Sequence, residues 1–363
     1  MPDLKVSDDI IIYFSGDIPY LIDTRINEEY EIDEPGLLAQ LFRFIESGEI
    51  ETEAKRKLRE NNVLVSKERP ALLKNFGNDF LDLFHRGCND VLNHIQTLSA
   101  EEFADLYLDS CARLGGDGPP SRAKSLRKEH GTNIALPDPQ LQFLQDSSLF
   151  HALDRRKTVR EFHPHRAALA DLSNLLFTCF GYFHQHKESE NKDYAPFKRR
   201  SSPSGGCLQA IEAYICAFSV DRLENGVYWY DADDHSLLKV NDAIDYANLS
   251  AMLVSQFFGD NCAFGIFLTA NLERFTWKYK TTRAYRVVSM EAGHFSQTTQ
   301  LCGAAMGLNS WITGAFNDTK IEQTLNLDCE RAIPLLFLAF GKGCYHHMNT
   351  LMRKRVETLK SNA

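Results

Sequence analysis

Residues 283–308 read RAYRVVSMEAGHFSQTTQLCGAAMGL, and how this stretch folds decides the architecture around it. Apolar and small residues recur through it at helical spacing, which predicts one long helix near 281–307. Gly293 and Gly303 each weaken a helix by about 1 kcal/mol relative to Ala. Tight packing against another helix or a flat ligand is therefore expected at both, and His294 is expected to be packed and hydrogen-bonded. Just beyond the helix, Ile312-Thr313-Gly314-Ala315-Phe316-Asn317 reads as a strand running into a glycine turn that can offer backbone donors to a ligand. Upstream, from about residue 151, helices expected at 167–182, 206–213 and 241–257 alternate with strands at 213–220, 226–231 and 263–269. Further strands follow at 311–315 and 333–340. This is an α+β or α/β plan with one substantial sheet.

A chain of 363 residues with 44% hydrophobic and 25% charged residues has material for a sizeable core and roughly two domains of about 150 residues each. Its 40 Lys+Arg against 49 Asp+Glu leave a formal charge of −9, which disfavours general nucleic-acid or anionic-membrane binding. Any basic site must be local. No apolar run approaches the roughly 20 residues of a spanning helix, and Met1-Pro2-Asp3-Leu4-Lys5 lacks the order of a signal peptide, so a cytoplasmic location is expected. Nine cysteines without a Cys-x-x-Cys pair read as reduced, mostly buried thiols. The pairs His163/His165, His184/His186 and His346/His347 lack the spacing and carboxylates of a metal site, and no metal is expected.

At the N-terminal end, Ile10–Phe14 and Ile18–Ile22 flank Ser15-Gly16-Asp17 as a hairpin. Helical patterns follow at 35–44 and 51–60, then the apolar Val63-Leu64-Val65. Together they suggest a winged-helix-like module over 1–70. Such modules bind DNA or peptides, and the Glu and Asp content favours a peptide or plain scaffolding. Residues 71–150 read as a helical segment and a linker, broken at Leu114-Gly115-Gly116-Asp117-Gly118-Pro119-Pro120. The remaining domain is 151–363, with an exposed loop at 184–193.

Two stretches carry chemistry. Asp154–Phe162 holds four cations, Arg155, Arg156, Lys157 and Arg160, with the hydroxyl of Thr158. Guanidinium groups and hydroxyls bind phosphate oxygens by charge-assisted hydrogen bonds, although a solvated basic turn has the same composition. The segment Arg199-Arg200-Ser201-Ser202-Pro203-Ser204-Gly205-Gly206 offers amides and small side chains to a ligand's polar atoms. It matches neither a Walker loop nor a Gly-x-Ser-x-Gly nucleophile turn, and a glycine-rich helix start is the plain alternative.

In this order the pieces resemble the nitroreductase-like FMN flavoproteins, and more closely the SagB-type, azoline-oxidising dehydrogenases that mature ribosomal peptides. The resemblance covers about residues 150–345. The Arg-Arg-Ser-x-Arg-x-Phe signature appears as Arg156 to Phe162, the Pro-Ser-Gly-Gly turn as Pro203 to Gly206, and the Tyr-Arg…Glu-Ala-Gly-His…Gln helix as Tyr285 to Gln297. Gly314-Ala315-Phe316 supplies the Gly-x-Phe turn. Lys157 and Thr158 replace the commoner Arg and Ser while keeping a cation and a hydroxyl. The fold implied is a central mixed sheet flanked by helices, homodimeric, and the ligand implied is FMN. By the resemblance, Arg156, Lys157, Thr158 and Arg160 reach its phosphate, ribityl chain and pyrimidine edge. Pro203, Ser204, Gly205 and Gly206 form the turn lining its ring, with the dimer mate adding part of the site. Gln297, Gly314, Ala315 and Phe316 complete the pocket, and Lys342 after Gly341 is a second phosphate contact.

Azoline-oxidising members carry a Lys-Tyr pair ahead of the Tyr-Arg helix, and Lys278-Tyr279 stands at that place. The pair is the expected catalytic set, against the plainer alternative of an exposed Lys and a packing Tyr. Aromatising a thiazoline or oxazoline removes a proton from one ring carbon and a hydride from its neighbour, and a desolvated Lys or activated Tyr can take the proton. The implied partners are a precursor peptide and a cyclodehydratase or other maturation enzymes. Two alternatives remain open: an NAD(P)H-dependent reductase of nitro, quinone or dehydroamino-acid substrates on the same fold, and a catalytically silent docking scaffold.

Overall fold

The computed structural model describes residues 4–7, 10–23, 28–65, 84–85, 88, 98–113, 120, 133–184, 198–242, 244–346 and 348–361. The chain divides into two compact units, 1–113 with 280–286, and 114–279 with 287–363.

In the first unit, β1 (Lys5–Val6) pairs with β5 (Leu64–Val65), and β2 (Ile10–Ser15), β3 (Ile18–Asp23) and β4 (Glu28–Glu31) form an antiparallel sheet in that order. The expected hairpin is present, its turn closed by Gly16 at φ +61°, a conformation glycine adopts without a Cβ clash. Helix α1 (Pro35–Ser47) opens on a proline, which costs nothing where an amide has no intrahelical partner. It ends at Gly48 in the left-handed region, whose N–H donates to Phe44 O. Helix α2 (Thr52–Glu60) follows. Leu41, Leu58, Val63 and Leu64 are buried together, with Ile12, Leu21 and Leu38 packed on them. Helix α3 (Ala100–Arg113) fulfils part of the helical expectation for 71–112. Most of 66–97, the linker at 114–119 and the loop beyond His184 lie outside the described residues.

The second unit is built on an eight-stranded sheet. Its strands are β6 (Ile134–Ala135), β7 (Phe162–His163), β8 (Ile211–Ala217), β9 (Gly226–Asp231), β10 (Ser236–Asn241), β11 (Phe264–Asn271), β12 (Asn309–Thr313) and β13 (Ala332–Gly343). The order is β12-β13-β11-β8-β9-β10-β6, with β7 on β13. The strand ladders are antiparallel, and parallel pairing is confined to the isolated bridges Thr158–Ser310 and Ala167–Val220. Strands β8 and β11 are apolar and buried along nearly their whole length, as centre strands covered on both faces must be. Opposed rings lock the β11–β13 register, with Phe264 on Phe340 at 5.5 Å and Phe267 on Phe337 at 4.6 Å.

Helices pack around the sheet: α4 (Gln142–Asp146), α5 (Leu149–Arg155), α6 (Leu169–Phe180), α7 (Tyr246–Met252), α8 (Leu272–Thr276), α9 (Arg283–Ala305), α10 (Asp318–Leu325) and α11 (Thr350–Ser361). Helix α6 is buried almost all round, and Phe180 stacks on Phe295 of α9 at 5.6 Å. The predicted long helix is α9. Gly303 does pack tightly, a Cβ there lying 2.8 Å from the Phe340 ring, so its partner is a strand rather than a helix or ligand. Gly293 has nothing within 4 Å of where a Cβ would stand, and His294 is exposed, contrary to the expectation that both are packed. Among the described residues no helix is long and apolar enough to cross a membrane. Cys88, Cys179, Cys216, Cys262 and Cys302 are buried, whereas Cys329 and Cys344 are exposed.

Two helix expectations give way. Over 206–213 there is only a single 3-10 turn, Gly205–Cys207, before β8 begins. Gly206, Cys207 and Gln209 all have positive φ, which no helix accommodates. The helix expected over 241–257 is reduced to α7, stopped by left-handed Val254 and Ser255. Strand β10 and helices α8, α10 and α11 are elements the periodicity did not indicate.

Candidate functional site

The segment 200–209 is held by polar pegs. Arg200 donates from Nη1 to Ile211 O at 2.6 Å, and its guanidinium lies 5.7 Å from the Tyr182 ring and 5.8 Å from the Phe295 ring. Burial pushes its pKa down from the usual guanidinium value. The Ser201 hydroxyl donates to Thr178 O at 2.6 Å, and the Ser202 hydroxyl to Thr298 Oγ1 at 2.9 Å. Ser204 Oγ accepts the Gln209 N–H at 2.8 Å, and Gly205 N–H donates to Glu291 Oε2 at 3.1 Å. A main-chain carbonyl of α6 and side chains of α9 thus hold a turn whose left-handed backbone local propensity does not favour.

Lys278 and Tyr279 close on this turn. Asn271 caps α8 by accepting the Arg274 N–H at 3.0 Å, and the chain leaves α8 directly into the pair. A Cβ on Gly206, at φ +59°, would lie 2.7 Å from Tyr279 Oη and 3.1 Å from Lys278 Cδ. The Tyr279 ring sits 5.4 Å from Phe275, and both members of the pair are half-buried. The expected catalytic pair and the Pro203–Gly206 turn therefore form one cluster. Pro203 is exposed at its rim, and Ser204 and Gly205 are half-buried within it.

A second cluster gathers cations. Val159 N–H donates to Ser310 O at 2.9 Å beside the Thr158–Ser310 bridge. Strand β7 pairs with the end of β13, His163 opposite Lys342 and Phe162 opposite Gly343. Residues 156–160 and 341–345 thereby lie on neighbouring segments. Lys157 Nζ is 5.6 Å from the Tyr345 ring, Arg160 is 6.0 Å from the Phe258 ring, and Lys342 Nζ donates to Gly307 O at 2.6 Å. Arg156, half-buried, ends α5. Glu161 fastens the start of α11 by accepting the Thr350 N–H and hydroxyl, each at 2.9 Å, and these bonds hold its carboxyl below the usual range. Buried Gly341 is pressed against Ala263 N, 3.1 Å from where a Cβ would stand.

Helix α9 links the clusters. Glu291 contacts Gly205 near one end, and Gln300 Oε1 accepts from Ser310 Oγ at 3.5 Å nearer the other. At 1.5 Å per residue these contacts are about 14 Å apart along the axis. The cations at 156–160 favour an anionic group at that end of any ligand that touches both clusters.

The remaining expected site residues lie on α9 and on the segment after β12. Gln297 is exposed on α9, and Gly314 and Ala315 are exposed after β12. The Ala315 N–H donates to Thr313 Oγ1 at 3.0 Å and its carbonyl accepts from Gln256 Nε2 at 2.8 Å. Phe316 packs against the core. Sequence reasoning quoted Glu291 and Arg200 within motifs but assigned neither a role. Glu291 is 2% exposed, its Oε1 has no hydrogen-bond partner among the described residues, and burial raises its carboxyl pKa above the usual range. The available signal was a single carboxylate followed directly by Ala292-Gly293 in a small-residue helix.

A model of the nitroreductase family matches residues 153–342. A Methanocaldococcus jannaschii protein named as a nitroreductase is 30% identical over 209 residues, which are 58% of this chain and 96% of that protein. The microcin B17-processing protein McbC of Escherichia coli is 28% identical over 152 residues, 39% of this chain and 54% of McbC. A solved structure named as a nitroreductase, from Anabaena variabilis, superposes with a TM-score of 0.52 at 20% identity, covering 77% of this chain and 51% of that one. The chain thus spans about half the length of each of the last two.

Proposed function

The chain belongs to the nitroreductase family, and from that premise we propose that it is an FMN-dependent, SagB-type dehydrogenase of ribosomal-peptide maturation. It oxidises a thiazoline or oxazoline of a precursor peptide to the azole, with dioxygen as final acceptor. The observation that carries this reading is the seating of Lys278 and Tyr279 on the Gly206 turn.

The residues present fit the flavin. The cations and hydroxyl gathered at one end are the donor set a phosphate calls for, and Arg156, Lys157, Thr158, Arg160 and Lys342 would hold the phosphate and ribityl chain. Ser204, Gly205 and Gly206 would line the ring. When bound, FMN supplies a two-electron acceptor. The chain's own part is to orient the heterocycle and remove its ring proton. Lys278 or Tyr279 takes that proton as the positioned general base. A second copy of the chain contributes part of the pocket in this reading, which accounts for the exposure of Gln297, Gly314 and Ala315. McbC is named for processing a peptide, which supports a peptide substrate over a small aromatic one.

Purified protein is expected to show a flavin absorption spectrum, and a co-expressed precursor peptide is expected to lose two hydrogens per oxidised ring by mass spectrometry. Colourless protein that cannot be loaded with FMN would favour a docking scaffold. Rapid NAD(P)H consumption with a quinone and an unchanged peptide mass would favour the reductase alternative, which the family itself supports.

The N-terminal unit supports a recognition role for residues 1–70. A groove of about 460 Å³ is floored by Leu21, Leu37, Leu41 and Leu58, among others, and its lining includes Asp23, Glu31, Asp33 and Glu60. Its Lys57 is held by Glu34 at 2.8 Å. The complementary occupant is a segment of precursor or partner with Lys or Arg among apolar residues. The double variant E31K/D33K is expected to weaken precursor binding about tenfold, by charge reversal at a groove rim. Unchanged affinity by fluorescence anisotropy would remove this role.

A further inference from the structure

We propose that Glu291 is the positioning residue of this site: from α9 it holds the Ser204–Gly205 segment so that Gly206 lies beneath Lys278 and Tyr279. The inference rests on reading the 203–206 turn as part of the site, but its main test needs neither flavin nor substrate.

The argument follows the contacts outward from the carboxyl. Glu291 is almost completely buried, although most of its helix neighbours are small or apolar. A buried carboxyl is retained only where its hydrogen bonds repay desolvation. Oε2 accepts the Gly205 N–H at 3.1 Å, and the Ser204 hydroxyl bonds the same carboxyl. Ser204 Oγ in turn accepts the Gln209 N–H, and Ser204 O accepts the Cys207 N–H at 3.0 Å. Glu291 therefore anchors the entry of a turn that passes through left-handed Gly206, Cys207 and Gln209, and Ser204 ties that entry to its exit. Such a backbone reverts to ordinary conformations unless its surroundings over-determine it.

The anchored turn also fixes the spacing to the catalytic pair. Gly205 lies against Val287 and Phe275, 3.4 and 3.5 Å from where its Cβ would be, and Phe275 carries the Tyr279 ring. Gly206 meets Tyr279 Oη and Lys278 Cδ directly. A turn released from Glu291 shifts against that pair and against whatever stacks on residues 204–206. Burial favours the neutral carboxyl, while the bonds from Ser204 and Gly205 and the nearby Arg200 and His294 act in the opposite sense. An uncharged amide of the same shape should therefore replace it: its oxygen accepts from Gly205 and its amino group donates to Ser204.

The test is amide hydrogen exchange, read by mass spectrometry over residues 201–209, in wild type, E291Q and E291L. Losing the acceptor for a buried N–H is expected to speed exchange of this segment about tenfold or more in E291L, while E291Q stays within about threefold of wild type. Loaded with FMN, E291Q is expected to keep the wild-type visible spectrum and E291L to shift it. Unchanged exchange in E291L overturns the proposal. So does an E291Q that exchanges as fast as E291L. If E291L does not fold, the smaller E291A decides: faster exchange over 201–209 supports the anchor, and unchanged exchange overturns it. A wild-type protein that binds no FMN would sink the flavin reading and leave the exchange result standing.

Discussion

Lys278→Ala and Tyr279→Phe are each expected to lower peptide dehydrogenation by about 10²- to 10⁴-fold, the usual contribution of a positioned general base, while the protein keeps its flavin spectrum. Both side chains are half-buried at the end of α8, so neither change opens a core cavity, and the cost in stability is expected to be within about 1 kcal/mol. Tyr279→Phe keeps the ring on Phe275 and removes only the oxygen that faces Gly206. Of the two variants, the residue that serves as base loses the pH-dependent limb of the rate profile, and the other lowers the rate at all pH values. The measurement is single-turnover peptide oxidation with flavin content determined on the same sample. Near-full turnover in both variants, with FMN bound, would return the pair to a packing role.

Gly343→Ala is expected to disable the anion-binding end of the site without touching a cation. A Cβ at residue 343 would collide with the backbone oxygen of Glu161 and lie 2.8 Å from Val159 Cγ1. Backbone cannot swing aside as a flexible side chain does, so relief requires β7 to move off β13, where Phe162 opposes Gly343. Overpacking of this kind typically costs about 1–3 kcal/mol. The displaced segment is 156–162, which carries Arg156, Lys157, Thr158 and Arg160. The expected result is a thermal midpoint lowered by several degrees and FMN affinity reduced about tenfold or more, since about 1.4 kcal/mol corresponds to a factor of ten. A variant with wild-type FMN affinity would show that residues 156–160 do not hold the phosphate in the way proposed.

These two variants also mark where sequence reading succeeded and where it stopped. Strong local periodicity located the hairpin over 10–23, the long helix α9 and strand β9, because each is specified by residues within a few positions of one another. The helix expected over 206–213 gives way to left-handed residues at its start, on a segment whose entry is bonded to Glu291, Thr298 and the Thr178 carbonyl from other elements. Strand β10, Ser236–Asn241, carries too few alternating apolar residues to announce itself, and its place is set by pairing with β9 and β6. Glu291 was quoted in the Glu-Ala-Gly-His motif without a role, because one carboxylate in a helix looks like a solvated residue until its burial is known.

The sequence by itself determined the α+β plan, the order of the motifs and the chemical types available: cations at 156–160, a Lys-Tyr pair at 278–279 and a small-residue helix after it. Only the tertiary structure decided that Val159 and Gly343 are neighbours, that Tyr279 rests on Gly206, and that a buried Glu291 anchors the turn between them. The reason is the range of the interactions. Helical and strand periodicities report contacts a few residues apart, whereas strand register and the pairing of buried polar groups are settled between segments far apart in the chain.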